Sequence, residues 1–178
     1  MMMTMMPRFT IRRLFRNNRA VAAVEMALVA PLVILLIFGA AELGNLFYNE
    51  HILMKGVRDG ARFASRQPFS AYDMGTCALS EDAKARVRRL VRTAQLAASG
   101  EAARLPNWVE ADEASTISVD VQCDSSGTYQ GVYVANANVA ANVTVQARVP
   151  YTPVIGSFAF ATSGLVLSAS SQAALAGI

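Results

Sequence analysis

The feature that most constrains this chain is a long apolar segment near its N-terminus. Residues 20–41 read AVAAVEMALVAPLVILLIFGAA, with one charged side chain, Glu25, and one proline, Pro31. A helix rising about 1.5 Å per residue makes this segment about 33 Å long, enough to cross a hydrocarbon core of about 30 Å. We therefore predict a transmembrane helix over residues 21–41, with a kink at Pro31 because proline lacks a backbone donor.

The distribution of charge predicts the orientation of this helix. Five arginines precede the apolar segment, whereas acidic residues outnumber basic ones in the remainder, although the net charge is +3. A basic flank on one side of a span favours the cytoplasm. We expect residues 1–20 to be a basic cytoplasmic leader and the chain beyond the span to lie outside the inner membrane. Nucleic acid is not an expected partner, because a domain that binds it carries basic residues on its folded part.

The apolar segment also has the features of a secretory signal peptide. Residues 26–38 have the length of a signal core, and the small residues 39–41 offer a cleavage site after Ala41. Cleavage there would release a secreted binding module. A simple signal has no use for Glu25 or Pro31, so we favour the attached helix and keep the released module as the alternative.

Two interpretations of Glu25 follow from physics alone. The carboxylate lies only about 6 Å from a helix start near Val21, so it can reach the membrane surface, where the first helical turn also favours negative charge. The alternative is a functional role inside the membrane, where an ionised group is costly unless it is paired.

A resemblance to a known family lies in residues 12–65, RRLFRNNRAVAAVEMALVAPLVILLIFGAAELGNLFYNEHILMKGVRDGARFAS. This segment resembles the N-terminal region of TadE-like proteins, the pseudopilins of the tight-adherence (Tad, Flp) pilus. The Arg-rich leader, AVEMALVAP and RDGARFA carry the resemblance.

The resemblance implies processing and assembly at particular residues. A prepilin peptidase would cut between Ala20 and Val21, and Glu25 would become the fifth residue of the mature chain. The family implies that this glutamate pairs with the N-terminal ammonium of a neighbouring subunit. The implied partners are inner-membrane lipid, other pilins and pseudopilins, the peptidase and the pilus assembly platform. The implied function is that of a minor pilin in an adhesive pilus.

We predict that the helix continues outside the membrane over residues 42–67 and ends before Pro68. Apolar residues recur there at helical spacing: Leu46, Leu53, Val57, Ala61 and Ala64. The second family motif, which lies on this extension, consists of Arg58, Asp59, Gly60, Ala61 and Arg62. Within this motif Gly60 indicates a close approach of another backbone. The alternative is that the motif is an exposed helix surface with local ion pairs.

Residues 68–178 are expected to form an extracytoplasmic α+β head, as in pilins. A helix is predicted over residues 80–99, with Gly100 as its stop. Its basic face is expected to be solvated, and docking on an acidic partner or anionic lipid is the alternative. Its expected buried stripe is Ala83, Val87, Leu90 or Val91, and Ala94. Alternating polarity predicts half-buried strands at residues 117–123, 139–149 and 165–169, and hence an antiparallel sheet of about three to four strands packed on helices.

The two cysteines, Cys77 and Cys123, both fall in the predicted extracytoplasmic part. An oxidising compartment favours a disulfide between them, worth about 3–4 kcal/mol in the chain-entropy model. Two cysteines alone do not make a structural zinc site, since such a site uses four ligands.

The sequence shows no catalytic motif. It contains no phosphate-binding Gly-Lys loop and no Gly-x-Ser-x-Gly elbow, and its one histidine, His51, falls on the helix extension. The carboxylates of the head lack the spacing of a calcium loop: Asp112, Glu113, Asp120 and Asp124. We therefore expect no enzymatic activity, no cofactor and no metal. A membrane-anchored periplasmic binding module or enzyme stays as the alternative.

Overall fold

A computed structural model describes residues 18–97, 100–106, 108–112, 116–127, 129–136, 139–155 and 164–177. The leader before Asn18, the predicted helix end at Ser99 and the candidate ligand Glu113 lie outside the described residues. The helices and strands in chain order are α1 (Asn18–Ser65), β1 (Tyr72–Asp73), β2 (Ala78–Leu79), α2 (Glu81–Thr93), β3 (Ile117–Asp124), β4 (Ala140–Pro150) and β5 (Val166–Ala174).

The helix α1 is 48 residues long and continues through Pro31. From Val21 to Ala41 its side chains are almost all exposed, and from Glu42 onward one face becomes buried in the head. This helix is long and apolar enough to cross a membrane. The predicted continuation of the helix beyond the apolar segment is confirmed, with its end at Ser65, shortly before Pro68.

The head is built on an antiparallel sheet with the strand order β3-β4-β5. In its register Val119 lies opposite Val145, which in turn lies opposite Ser171. One face carries apolar side chains that are fully buried, among them Ile117, Val143 and Val145, and the other face is polar and mostly exposed. The predicted α+β class and the three alternating strands are confirmed.

Both helices cover the apolar face of the sheet. The second half of α1 lies over β4 and β5, while α2 packs against α1 and beside β3. Residues on the inner side of α1 enter the common core: Leu53, Val57, Ala61 and Ala64. From α2 the core receives Ala83, Val87 and Val91. The second half of α1 is therefore part of the core of the head, whereas the first half is apolar and exposed.

The predicted extent of α2 is wrong at its C-terminal end. The helix stops at Thr93, and Ala94 is an exposed left-handed residue with φ of 68° whose N–H donates to the carbonyl of Leu90. Another turn of helix would need the carbonyl of Arg92 as an acceptor. This carbonyl already accepts a hydrogen bond of 2.7 Å from the backbone N–H of Arg104. An ordinary alanine at the cap carries no sequence signal for such an end, since this position usually has glycine.

The basic residues of α2 form the predicted solvated face only in part, because several of them are half-buried or buried. Arg92 is only 4% exposed, and one of its guanidinium nitrogens donates to the carbonyl of Glu101. Arg88 Nε donates to the carbonyl of Ile117 over 3.3 Å, and Arg86 donates to the side chain of Gln67. Long cationic side chains thus fasten α2 to neighbouring segments while their stems cover apolar surface.

A disulfide joins the loop before α2 to the end of the sheet. Cys77 and Cys123 are bonded, with their Cα atoms 5.9 Å apart and a separation of 46 positions in sequence. Cys77 lies between the short paired strands β1 and β2, and Cys123 lies near the end of β3. The bond therefore ties the connection between the helices to an edge strand.

Where α1 leaves its fully exposed part, a buried carboxylate holds the helix to the head. Glu42 is 4% exposed, and its Oε1 accepts a hydrogen bond of 2.6 Å from the Tyr151 hydroxyl. Its Oε2 accepts from the backbone N–H of Ile155 over 3.2 Å, and Asn45 donates to the Tyr151 oxygen over 2.9 Å. Burial and the bond to Glu42 raise the pKa of Tyr151, so this hydroxyl remains a donor at neutral pH.

Replacing both cysteines by serine should lower the free energy of unfolding by about 3–4 kcal/mol, because the unfolded chain regains the freedom that the closed loop removes. Denaturant unfolding of the full chain in detergent can be followed by the fluorescence of Trp108, which is buried. The unmodified protein in reducing agent should show the same loss. An unchanged unfolding midpoint in both samples would contradict the prediction.

Tyr151→Phe should destabilise the contact between α1 and the head by about 1.5–3 kcal/mol, because the buried Glu42 carboxylate loses a donor. Hydrogen exchange at the Ile155 amide should accelerate. Tyr48→Phe is the control, since Tyr48 is 65% exposed and should change stability by less than about 0.5 kcal/mol. Because the folded pKa of Tyr151 is raised, the stabilisation by its hydroxyl is fully present at pH values below the ordinary tyrosine pKa. This stabilisation is lost as the pH rises through the raised folded pKa.

Candidate subunit-assembly site

The first candidate residue, Glu25, lies on the exposed apolar half of α1. Its own side chain is exposed, as are the large apolar side chains around it: Val21, Val24, Met26, Leu28 and Val29. Within the described part of the chain, no side chain or backbone group forms a hydrogen bond or ion pair with its carboxylate. A carboxylate on a surface of this kind needs water, lipid headgroups or a partner from another molecule.

The predicted cleavage position lies near the beginning of the same helix. Ala20 and Val21 are both helical, two and three residues after Asn18, where α1 begins. Val21 and Glu25 are four residues apart and so lie on the same face, one turn and about 6 Å from each other along the axis. A chain that began at Val21 would keep the rest of α1.

The second family motif divides between two faces of α1. Asp59 accepts from Arg104 over 3.2 Å, and Ala61 is buried in the head core. Gly60 is buried too, whereas Arg58 and Arg62 are exposed. The ion pair of Asp59 reaches a residue 45 positions away, so the motif connects distant parts of the chain and is not a set of local surface pairs.

Glycine at position 60 makes room for α2. A Cβ atom there would overlap the side chain of Val91, and it would also approach Val87 at 3.5 Å. The close approach of another backbone occurs one turn earlier, at Gly56, where a Cβ would lie 2.8 Å from the carbonyl oxygen of Val91. The Gly-x-x-x-Gly spacing of these two residues was the available sequence signal for this helix contact, and reasoning from Gly60 alone missed it.

The remaining titratable groups of the described residues do not form a metal-binding cluster. Among the residues that the structure describes, no cluster of three or more histidine, cysteine or carboxylate side chains could hold a metal ion. Asp124 accepts hydrogen bonds from Ser126 and Tyr129 at the surface, and these donors lower the pKa of its carboxyl to about 2. Such bonds order the loop after β3 and leave Asp124 ionised over the whole neutral range.

Gly60→Ala should destabilise the head by about 1–2 kcal/mol, because overpacking against Val91 outweighs the gain in helix propensity. Gly44→Ala is a matched control on the same helix, since a Cβ at position 44 would meet no atom within 4 Å. That control should leave stability unchanged or raise it by up to about 1 kcal/mol. Thermal unfolding of the two variants side by side gives the answer, and equal melting temperatures would contradict the packing at Gly60.

Comparison with known proteins gives one match. Residues 20–62 match the family model described as TadE-like protein, and no curated protein and no solved structure gives a significant match. The match includes Val21, Glu25, Pro31 and the whole motif from Arg58 to Arg62, and the head beyond Arg62 lies outside it. The resemblance predicted from the sequence is therefore confirmed over residues 20–62, the part of α1 that carries the candidate assembly residues and is similar to TadE-like proteins.

Proposed function

We propose that this protein is a minor pilin or pseudopilin that takes part in assembling an adhesive pilus of the Tad/Flp type. It is anchored in the inner membrane by the first half of α1, with its N-terminus in the cytoplasm and its head outside. The observation that carries the proposal is Glu25, a carboxylate on an exposed apolar helix that lacks a partner within the described chain. The family match over residues 20–62 supports it.

In this proposal a prepilin peptidase cuts between Ala20 and Val21. The new ammonium group of one subunit then lies one helical turn below its own Glu25, so a neighbouring chain displaced by about that distance can place its ammonium beside this carboxylate. In a low-dielectric bundle an unpaired ion is strongly disfavoured, so the pair selects one axial stagger of the helices. The residue thus sets the register between subunits.

The exposed side chains argue against a secreted module released by cleavage after Ala41. Leu43, Phe47 and Tyr48 lie beyond that point and are 52%, 63% and 65% exposed. A soluble product would present these residues to water at its new N-terminal end. In an anchored protein they lie at the membrane surface, where aromatic residues are enriched. For the alternative of a membrane-anchored enzyme, the described residues contain no cluster of three or more histidine, cysteine or carboxylate side chains that could hold a metal ion.

N-terminal sequencing of the protein isolated from native membranes tests the processing step. We expect the mature chain to begin at Val21. A chain that begins at Glu42 would establish the secreted module, and an intact leader would leave an ordinary anchored protein.

Glu25→Ala tests the assembly role. The variant should insert into the membrane in normal amounts, because removing a charge from an apolar helix favours insertion. Pilus number on the cell surface should fall by about tenfold or more, because breaking a buried pair leaves the partner ammonium without compensation. Asp82→Ala, which removes an exposed carboxylate of the head, should leave piliation normal. Normal piliation in the Glu25 variant would contradict the assembly role and leave Glu25 as a carboxylate that is solvated at the membrane surface.

A further inference from the structure

A row of basic side chains runs along the outer face of α1 beside the head. The row consists of His51, Lys55, Arg58 and Arg62, all of which are exposed. Their spacings of four, three and four residues place them on one helical face, about 16 Å from end to end. Together with Met54 and Asp59 they line a shallow groove of about 420 Å³.

Within the described chain, the row has no acidic partner. None of the four side chains forms an ion pair or a hydrogen bond with another described residue. The nearest carboxylate in sequence that could neutralise the row, Asp59, is already paired with Arg104 over 3.2 Å. An apolar side chain, Met54, lies beside the row and is 44% exposed. The groove therefore combines uncompensated positive charge with an adaptable apolar contact.

Lipid headgroups are too far away to neutralise the upper part of the row. The exposed apolar surface of α1 runs from Val21 to Tyr48, about 40 Å, which corresponds to a bilayer with its interfacial regions. Measured along the axis from Tyr48, Lys55 lies about 10 Å, Arg58 about 15 Å and Arg62 about 21 Å beyond that surface. These distances reach or exceed the screening length of about 8–10 Å at physiological salt.

A second copy of α1 does not complement this face either. It would bring the same four basic residues against the row, and like charges in contact are repulsive. The acidic residues of the α1 extension are engaged or turned away: Glu42 is buried at Tyr151, Asp59 is paired, and Glu50 is half-buried about 100° around the helix from His51.

We propose that this basic groove docks a helix of a different membrane-anchored protein, one whose own extension carries carboxylates at intervals of three and four residues beside an apolar side chain. The partner helix runs along α1 outside the membrane, with its carboxylates on Lys55, Arg58 and Arg62 and its apolar side chain on Met54. A row that follows one face of a helix is best matched by another helix that leaves the same membrane. The proposal rests on the proposed function in one respect, the anchoring of α1 in a membrane.

Photocrosslinking in the native cells tests this docking surface. Met54 is replaced in the full chain by a benzophenone derivative of phenylalanine, and adducts are identified by mass spectrometry of the crosslinked peptides. We expect the adduct to contain a peptide of another protein, rich in acidic residues and located shortly after an apolar span. The same derivative at Val132, an exposed residue of the head remote from α1 in sequence, should not give this adduct.

A charge reversal within the row provides the second arm. Arg58→Glu should reduce the Met54 adduct by about five- to tenfold, since a contact that was attractive becomes repulsive, and added salt should weaken the adduct of the unaltered row. Arg148→Glu is the matched control, because Arg148 is also an exposed arginine and lies on the outer face of the sheet. Protease resistance of the head verifies that both variants are folded.

Three results would overturn the proposal. They are an adduct whose peptide comes from this chain, an adduct with lipid alone, and an adduct yield at Met54 no higher than at Val132. The failure of the docking surface and the failure of the pilin function remain distinguishable. If Glu25→Ala abolishes piliation while Met54 gives no foreign adduct, the pilin function stands and the docking surface is wrong. A mature chain beginning at Glu42 would instead refute the pilin function whatever the adduct shows.

Discussion

One helix has to satisfy two surroundings, and the rest of the structure depends on how α1 does so. Its first half is exposed and apolar on all sides, which is stable only against lipid or other apolar helices. Its second half buries one face in the head, where Leu53 and Val57 enter the core. The transition occurs at Glu42, whose carboxylate is buried against Tyr151 and the Ile155 amide. The head is thereby held at a defined height on the helix.

Three of the four acidic residues of α1 differ in whether the subunit itself supplies a partner for the charge, and the fourth, Glu50, is half-buried. Glu42 is satisfied by the head, and Asp59 is satisfied by Arg104. Glu25 has no such partner within the described chain, and its surroundings are apolar. Two of these three carboxylates therefore build the subunit, while the third remains available to a neighbour. This contrast is the physical basis for the assembly role that we propose for Glu25, whereas the other two carboxylates stabilise the subunit itself.

The basic side chains divide in the same way. Those of α2 are largely internal fasteners, because Arg88 and Arg92 reach backbone carbonyls of other segments. Those of α1 from His51 to Arg62 point away from the head and find no acid there. Arg88 and Arg92 of α2 therefore have partners within the subunit, whereas the basic side chains of the α1 row have none among the described residues. The two faces cannot be told apart from the sequence, because each consists of basic residues at helical spacing.

The sequence by itself determined the features that depend on local pattern. A long apolar run, alternation in the strands and two cysteines were enough to predict α1, the three-stranded sheet and the pairing of Cys77 with Cys123, because each follows from periodicity or from simple chemistry. Only the tertiary structure decided where α2 ends, since Arg104 competes for a carbonyl that further helix would have used. It also decided that Gly56 and Gly60 receive Val91 and that Glu42 meets Tyr151, because these contacts join residues far apart in the chain. Local pattern contains no information on which distant group will be present to pair with a given side chain.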